Sequence, residues 1–272
     1  MLPSRYWIDL ATTEFRDLEM ERAIAVLPIA AVEQHGPHLP VGVDSAIMRG
    51  MIERVVDRLP DDLDALFLPL QAIGVSIEHG DFPGTLSLSH ETALRLLCEI
   101  GEGVARAGCR KLVLLNSHGG NSALLSQAAL ELRAREELLA VSCSWHRFGY
   151  PDGLFGEEEI RLGVHGGEIE TSLMLAFAPD FVDMAQARHF RSASLDFERD
   201  FTWLRADRPI GFGWMTQDLS KEGAIGDAAA ASAAKGEAAA DYWATAFVEL
   251  LRDVEAFDLE RFAKAPRGED ES

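Results

Sequence analysis

The chain has 272 residues, 47% of them hydrophobic, and a formal net charge of -20 at pH 7. That length is one large domain or two small ones, and the apolar share excludes a disordered chain. The acid surplus excludes binding to nucleic acid phosphates, which needs clustered Lys and Arg, and no run of about 18 uncharged apolar residues offers a membrane span.

Residues 6–20 mix Trp7, Leu10 and Phe15 with charges and read as a short helix or an arm. Ala23 to Val32 is a continuous apolar run of strand length, and its lack of alternation points to burial on both faces, as in a parallel sheet. It empties into E-Q-H-G-P-H-L-P, residues 33–40, followed by Asp44. Asp44 or Ser45 is expected to cap a helix whose apolar residues, from Ile47 to Val56, recur at helical spacing until Pro60. Ala65 to Leu70 is a second strand, and residues 72–88 are a long glycine-punctuated loop. A helix from Ser89 or His90 runs to Gly108; Lys111 to Leu115 is a third strand, ending in N-S-H-G-G-N at 116–121. Ser122 to Glu136 is a helix, and Leu138 to Trp145 a fourth strand.

Residues 147–163 read as a loop, and H-G-G-E at 165–168 opens a short apolar helix that Pro179 stops. Residues 181–222 show no clean period, and G-F-G-W at 211–214 reads as a turn or flap. A long helix is expected from Gly226-Asp227 through Phe257, its alanine-rich half read as close helix packing. The last eight residues are charged and are expected to fray. The alternation of strand and helix implies a fold of the α/β class, a largely parallel sheet sandwiched by helices, with no repeat or linker dividing residues 1–272. In such sheets the polar site lies beyond the carboxyl ends of the strands, where both the E-Q-H and the N-S-H-G-G-N clusters fall.

The clusters carry metal chemistry. Glu33 and His35 are two apart, so in an extended segment their side chains point to opposite sides and can serve two cations. Asp44 is a short carboxylate able to bridge ions roughly 3.5–4 Å apart. His118 and Glu168 complete a set of two His, two Glu and one Asp. Nitrogen and oxygen donors without thiolate suit two divalent ions, Zn or Mn, with Fe or Co as further possibilities. A histidine at a strand end is often only structural, but Gly36, Gly119, Gly120, Gly166 and Gly167 flank three histidines here, where glycine permits close approach. Asn116 and Asn121 are expected to orient the His118 loop, or to cap the following helix in the case of Asn121. His38 and His79, with Gly119 and Asn121, are candidates for substrate contact, the histidines equally for support of the ligands.

The motifs E-Q-H-G-P-H-L-P-x-x-x-D at 33–44, E-H-x-x-F-P-G-T-L-S at 78–87, N-S-H-G-G-N at 116–121 and H-G-G-E-x-E-T-S at 165–172 resemble those of the creatininase (creatinine amidohydrolase) family. The resemblance runs over most of residues 20–240. It implies an α/β domain, commonly a hexamer, with a dinuclear metal site that hydrolyses small amide C–N bonds. Carried over by position, Glu33, Asp44 and His118 hold one metal, His35, Asp44 and Glu168 the other, and His165 is the catalytic acid/base. Glu170, Thr171 and Ser172 also fit the pattern. This chain departs from creatininase proper at Gly120, where that enzyme has a metal carboxylate, at Val164, where it has Glu, and at Arg161, where it has Trp. Creatinine is therefore not the expected substrate.

The expected function is hydrolysis of a lactam, cyclic amide or formamide, with a metal-bridged hydroxide as nucleophile and His165 protonating the leaving nitrogen. Two alternatives remain open: the same site working on a short peptide or cofactor precursor, and a non-catalytic relative that only binds. Trp203 and Trp214 wall the pocket or pack in an oligomer interface. Cys98, Cys109 and Cys143 are scattered and form no CxxC pair, which excludes a disulfide framework and a thiolate zinc site. With no apolar leader at the N-terminus, the expected location is the cytoplasm.

Overall fold

The computed structural model describes residues 2–262, so the expectation for the last eight residues lies outside the described residues. The N-terminal segment holds both a 3-10 turn, Trp7–Asp9, and a short helix, α1, Thr12–Asp17. The sheet has four parallel strands: β1 Ile24–Ile29, β2 Ala65–Phe67, β3 Lys111–Asn116 and β4 Leu139–Ser144, in the order β2-β1-β3-β4. Every residue of β1 and β3 is buried, as their unbroken apolar runs require of central strands.

Side-chain alternation divides the core into two. Ile24, Val26, Val113 and Leu115 pack with α2, Val43–Val56, α6, Glu168–Phe177, and α9, Ala233–Ala256. Ala25, Leu27, Ile29, Leu112 and Leu114 pack on the opposite face with α3, His90–Arg106, and α4, Ser122–Glu136. The sheet is thus sandwiched by helices, as the alternation implies. β1 leaves towards β2 through α2, whereas β3 leaves towards β4 through α4, on the other face. The crevice where the two connections diverge lies at the carboxyl ends of β1 and β3, in register at Ile29 and Asn116.

Three expectations change. α2 starts at Val43 with Gly42 at its N-cap, and no side chain caps it, so Asp44 sits inside the first turn with its carboxylate free for the crevice. Residues 147–163 are not all loop, since α5 spans Glu157–Leu162. Gly226–Asp227 is not the start of the long helix but a short strand antiparallel to His189–Phe190; α9 begins at Ala233, after Ser232, whose hydroxyl accepts the Lys235 N–H at 3.3 Å. The unread stretch contains α7, Ser194–Asp200, a pairing of Leu204–Arg205 with Ile210–Gly211, and α8, Thr216–Leu219. Trp203 there is largely exposed, and the Trp214 indole donates to the Ala206 carbonyl at 3.0 Å.

Candidate metal centre

Beyond Ile29 the chain runs extended, and Glu33 N–H donates to the Val41 carbonyl at 3.0 Å, closing the loop on itself. This turns Glu33 and His35 inward, where both are buried. His35 Nδ1 donates to the Glu33 carbonyl at 3.0 Å, leaving Nε2 aimed into the crevice. That Nε2 lies 3.8 Å from Glu33 Oε1, 3.8 Å from Asp44 Oδ1 and 3.7 Å from Glu170 Oε2. From the β3 side comes His118. Asn116 holds its loop, accepting the His118 N–H at 3.1 Å and donating to the His118 carbonyl at 2.5 Å. His118 Nε2 donates to the Val75 carbonyl at 2.8 Å, so Nδ1 faces inward, 3.0 Å from Glu33 Oε1 and 3.8 Å from Asp44 Oδ2.

His165 enters on the loop before α6. Its Nε2 donates to the Gln34 carbonyl at 2.5 Å, and its Nδ1 lies 3.6 Å from Glu33 Oε1. The ring is therefore oriented with an unprotonated nitrogen towards the carboxylates. The His79 ring is 4.1 Å from it, centroid to centroid, with Nε2 3.7 Å from Glu33 Oε2.

Among the expected metal ligands, Glu168 stands apart. Glu168 does not join the cluster: its carboxylate pairs with Lys235, on the far side of the first turn of α6. Glu170 takes the position by His35, held by the Gly166 N–H at 2.6 Å. Gln34, given no role by the sequence motifs, also belongs to the site; its side-chain nitrogen lies 2.8 Å from His79 Nδ1 and donates to the Gly223 carbonyl at 2.9 Å. Of the tentative substrate contacts, His38 packs behind the loop, stacked on Phe190 with Nε2 2.9 Å from Thr171 Oγ1. Asn121 neither caps a helix nor faces the crevice; it accepts the Val75 N–H at 2.9 Å and donates to the Ala30 carbonyl and Asn116 Oδ1, both at 3.2 Å. Gly119 is exposed beside His118, and His79 is in the cluster.

The electrostatics are those of a cation seat. Burial would raise the Glu33 carboxyl, but His118, His165 and His79 hold it well below the usual carboxylate range. Burial and the neighbouring Glu33 push Asp44 well above that range. Burial pulls His35 and His165 down to about 4, so both are neutral ligands or bases at neutral pH. His118 is pulled down by burial but raised to about 10 by Glu33, Asp44 and Glu78. Glu33 Oε2, His35 Nε2 and Asp44 Oδ2 are buried polar atoms without a hydrogen-bond partner, all at the same centre. Leaving such atoms unsatisfied costs about 1–3 kcal/mol each, more when charged. Groups of ligand atoms close enough to share an ion include Glu33–His35–Asp44 and His35–His165–Glu170. The donor set thus fits divalent metal, and the orphaned atoms mark where it would be held.

A family model described as creatininase, creatinine amidohydrolase, matches residues 9–251. The chain is 33% identical over 221 residues to the mycofactocin precursor peptide peptidase of Mycobacterium tuberculosis, covering 78% of this chain and 77% of that one. It is 34% identical over 175 residues to the protein of that name from Mycolicibacterium smegmatis, covering 64% of this chain and 65% of that one. To the creatinine amidohydrolase of Pseudomonas putida it is 33% identical over 182 residues, 59% of this chain and 66% of that one. A solved manganese creatininase superposes with a TM-score of 0.73 at 27% identity, over 93% of this chain and 100% of that chain.

Proposed function

This chain belongs to the creatininase family, and on that premise we propose that it is a two-metal hydrolase of a C–N amide bond in a small molecule. The observation that carries the reading is the convergence of Glu33, His35, Asp44, His118 and Glu170 on one buried centre with three orphaned ligand atoms. Glu33, Asp44 and His118 Nδ1 would hold one ion, and His35 Nε2, Asp44 and Glu170 the other. When bound, such ions make a water nucleophilic near neutral pH and polarise a carbonyl oxygen. The protein's own residues do the rest. The Gln34 carbonyl holds the proton of His165 on Nε2, so Nδ1 is free to take a proton from the attacking water and pass it to the leaving nitrogen. Asn116 fixes the His118 loop, and Asp44 and Glu170 stand in the first turns of α2 and α6.

Creatinine is not the substrate this site favours. At Gly120 a Cβ would stand 2.4 Å from Glu78 Oε1 and 2.5 Å from His118 Nε2, so Glu78 fills the space that a side chain there would need. Arg161 turns away to pair with Glu198, and Val164 is half exposed beside His165. A second reading, cleavage of a short peptide at the same centre, draws on the identity of about one third with peptidases over most of the chain. We also propose a homo-oligomer, a hexamer by family resemblance, working in the cytoplasm.

The test is a turnover screen of Zn- and Mn-loaded protein against creatinine, other lactams, cyclic imides, formamides and short peptides, alongside metal analysis. About two ions per chain and chelator-sensitive turnover of a small amide are expected; turnover of peptides alone would select the second reading. His165→Ala should lower turnover at least about 100-fold with metal content kept. Surviving turnover would assign the proton transfer elsewhere.

A further inference from the structure

Beneath the His165 loop two backbone segments meet, and one side chain holds both. Glu159, in α5, is only 7% exposed. Its Oε1 accepts the N–H of Glu168 at 2.7 Å and that of Ile169 at 3.4 Å, and its Oε2 accepts the N–H of Asp227 at 2.8 Å. Two residues before Asp227, Ile225 pairs with His165: the Ile225 N–H donates to the His165 carbonyl at 2.6 Å and the His165 N–H donates back at 3.4 Å. The carboxylate therefore fastens both strands of the bridge that carries His165.

Its seat is built from missing side chains. A Cβ on Gly163 or Gly167 would stand 2.3 Å from a Glu159 carboxylate oxygen or carbon, and one on Gly226 2.8 Å. Among the described residues no Lys or Arg pairs with Glu159; Lys235 pairs with Glu168 instead. Its charge meets backbone N–H groups and the N-terminal end of the ten-residue α6, where helix dipole and unpaired amides favour an anion. Burial raises its pKa, and the same three amides oppose that rise.

The first turn of α6 must be rotated correctly for the centre to exist, because it carries Glu168 outward and Glu170 inward. The amides that Glu159 accepts are those that set this rotation. We infer that Glu159 is a positioning residue: its buried carboxylate, clamping Glu168, Ile169 and Asp227, aims Glu170 and His165 at the metal centre. The inference rests on the reading of Glu170 as a ligand and His165 as the proton carrier.

The test titrates metal-free wild type and Glu159→Gln with Co²⁺ alone by calorimetry, and follows amide hydrogen exchange in both. Glutamine keeps the shape but turns one acceptor into an N–H donor, facing an N–H it used to accept. In the variant the seat that contains Glu170 should weaken at least about tenfold, as loss of outer support does elsewhere, with the seat of Glu33, Asp44 and His118 kept. The amides of Glu168, Ile169 and Asp227 should exchange at least about tenfold faster, with those of β3 unchanged. Gly163→Ala, which keeps the carboxylate but crowds it out, should reproduce the selective loss. A general loss of structure would weaken both seats equally; that result, or unchanged binding and exchange, overturns the inference. Wild-type amides of Glu168 and Asp227 that exchange like free peptide overturn it without any variant, and slow exchange at both supports the clamp should neither variant fold. If wild type takes up no Co²⁺, the two-metal reading fails, while the exchange data still decide the clamp.

Discussion

Glu168 and Glu170 stand two residues apart in the first turn of α6, about 200° from each other around the helix axis. One of them meets Lys235 and the other His35. Glu170→Gln should therefore remove close to one metal equivalent per chain, while Glu168→Gln leaves metal content unchanged; elemental analysis after gel filtration measures both. The sequence could not separate them. H-G-G-E-x-E announces a carboxylate near a helix start, but which one turns inward depends on the rotation of that turn, where the Glu168 N–H donates to Glu159, a carboxylate that also accepts the N–H of Asp227 far along the chain. Glu33, His35, Asp44 and His118 were legible from local motifs and glycine neighbours, although Glu33 and His35 turn into one crevice and not to opposite sides as their spacing suggested. Gln34 was not, because its partners His79, His165 and Gly223 are distant in sequence.

At the scale of elements, burial between sheet and helices sets the three cysteines' fate. Cys143 lies in β4 and Cys109 just before β3; burial pushes both thiols up to about 12. Cys98, in α3, is buried and shifted upward by the same cause. With so little thiolate at neutral pH, the native protein should react with Ellman's reagent at least about 100-fold more slowly than the same chain in denaturant. Three equivalents released promptly from folded protein would contradict the packing. β1, β3 and β4 were legible from their apolar runs and α3 and α4 from their period. The start of α9 was not: residues 228–234 are alanine except Ser232, so continuous helix propensity masked the single N-cap serine. Residues 181–222 stayed unread because distant contacts stabilise their short pieces, such as the Thr216 hydroxyl donating to the Glu78 carbonyl at 2.9 Å.

For the whole molecule, buried histidines couple stability to acid. His38 ties the β1 loop to α6, and burial pulls its pKa from 6.5 to about 4. A lowered pKa means the fold prefers the neutral ring, so its contribution is intact above 6.5 and is lost as pH falls towards 4. By linkage the loss is about 2 kcal/mol at about pH 5. His38→Gln should flatten that part of the stability curve, read from urea unfolding at a series of pH values; an unchanged slope would mean the ring is solvated. The layered α/β architecture followed from the order of strands and helices. The closeness of the centre's parts followed from the strand-end rule, because β1 and β3 turned out to be neighbours.

That neighbour relation has a consequence for synthesis. Glu33, Asp44 and His118 have all left the ribosome once β3 and its loop are made, whereas Glu170 follows only after β4 and α5. The ligands of the two proposed seats are thus completed in order, Glu170 last, and a chain arrested before α6 would lack one of them.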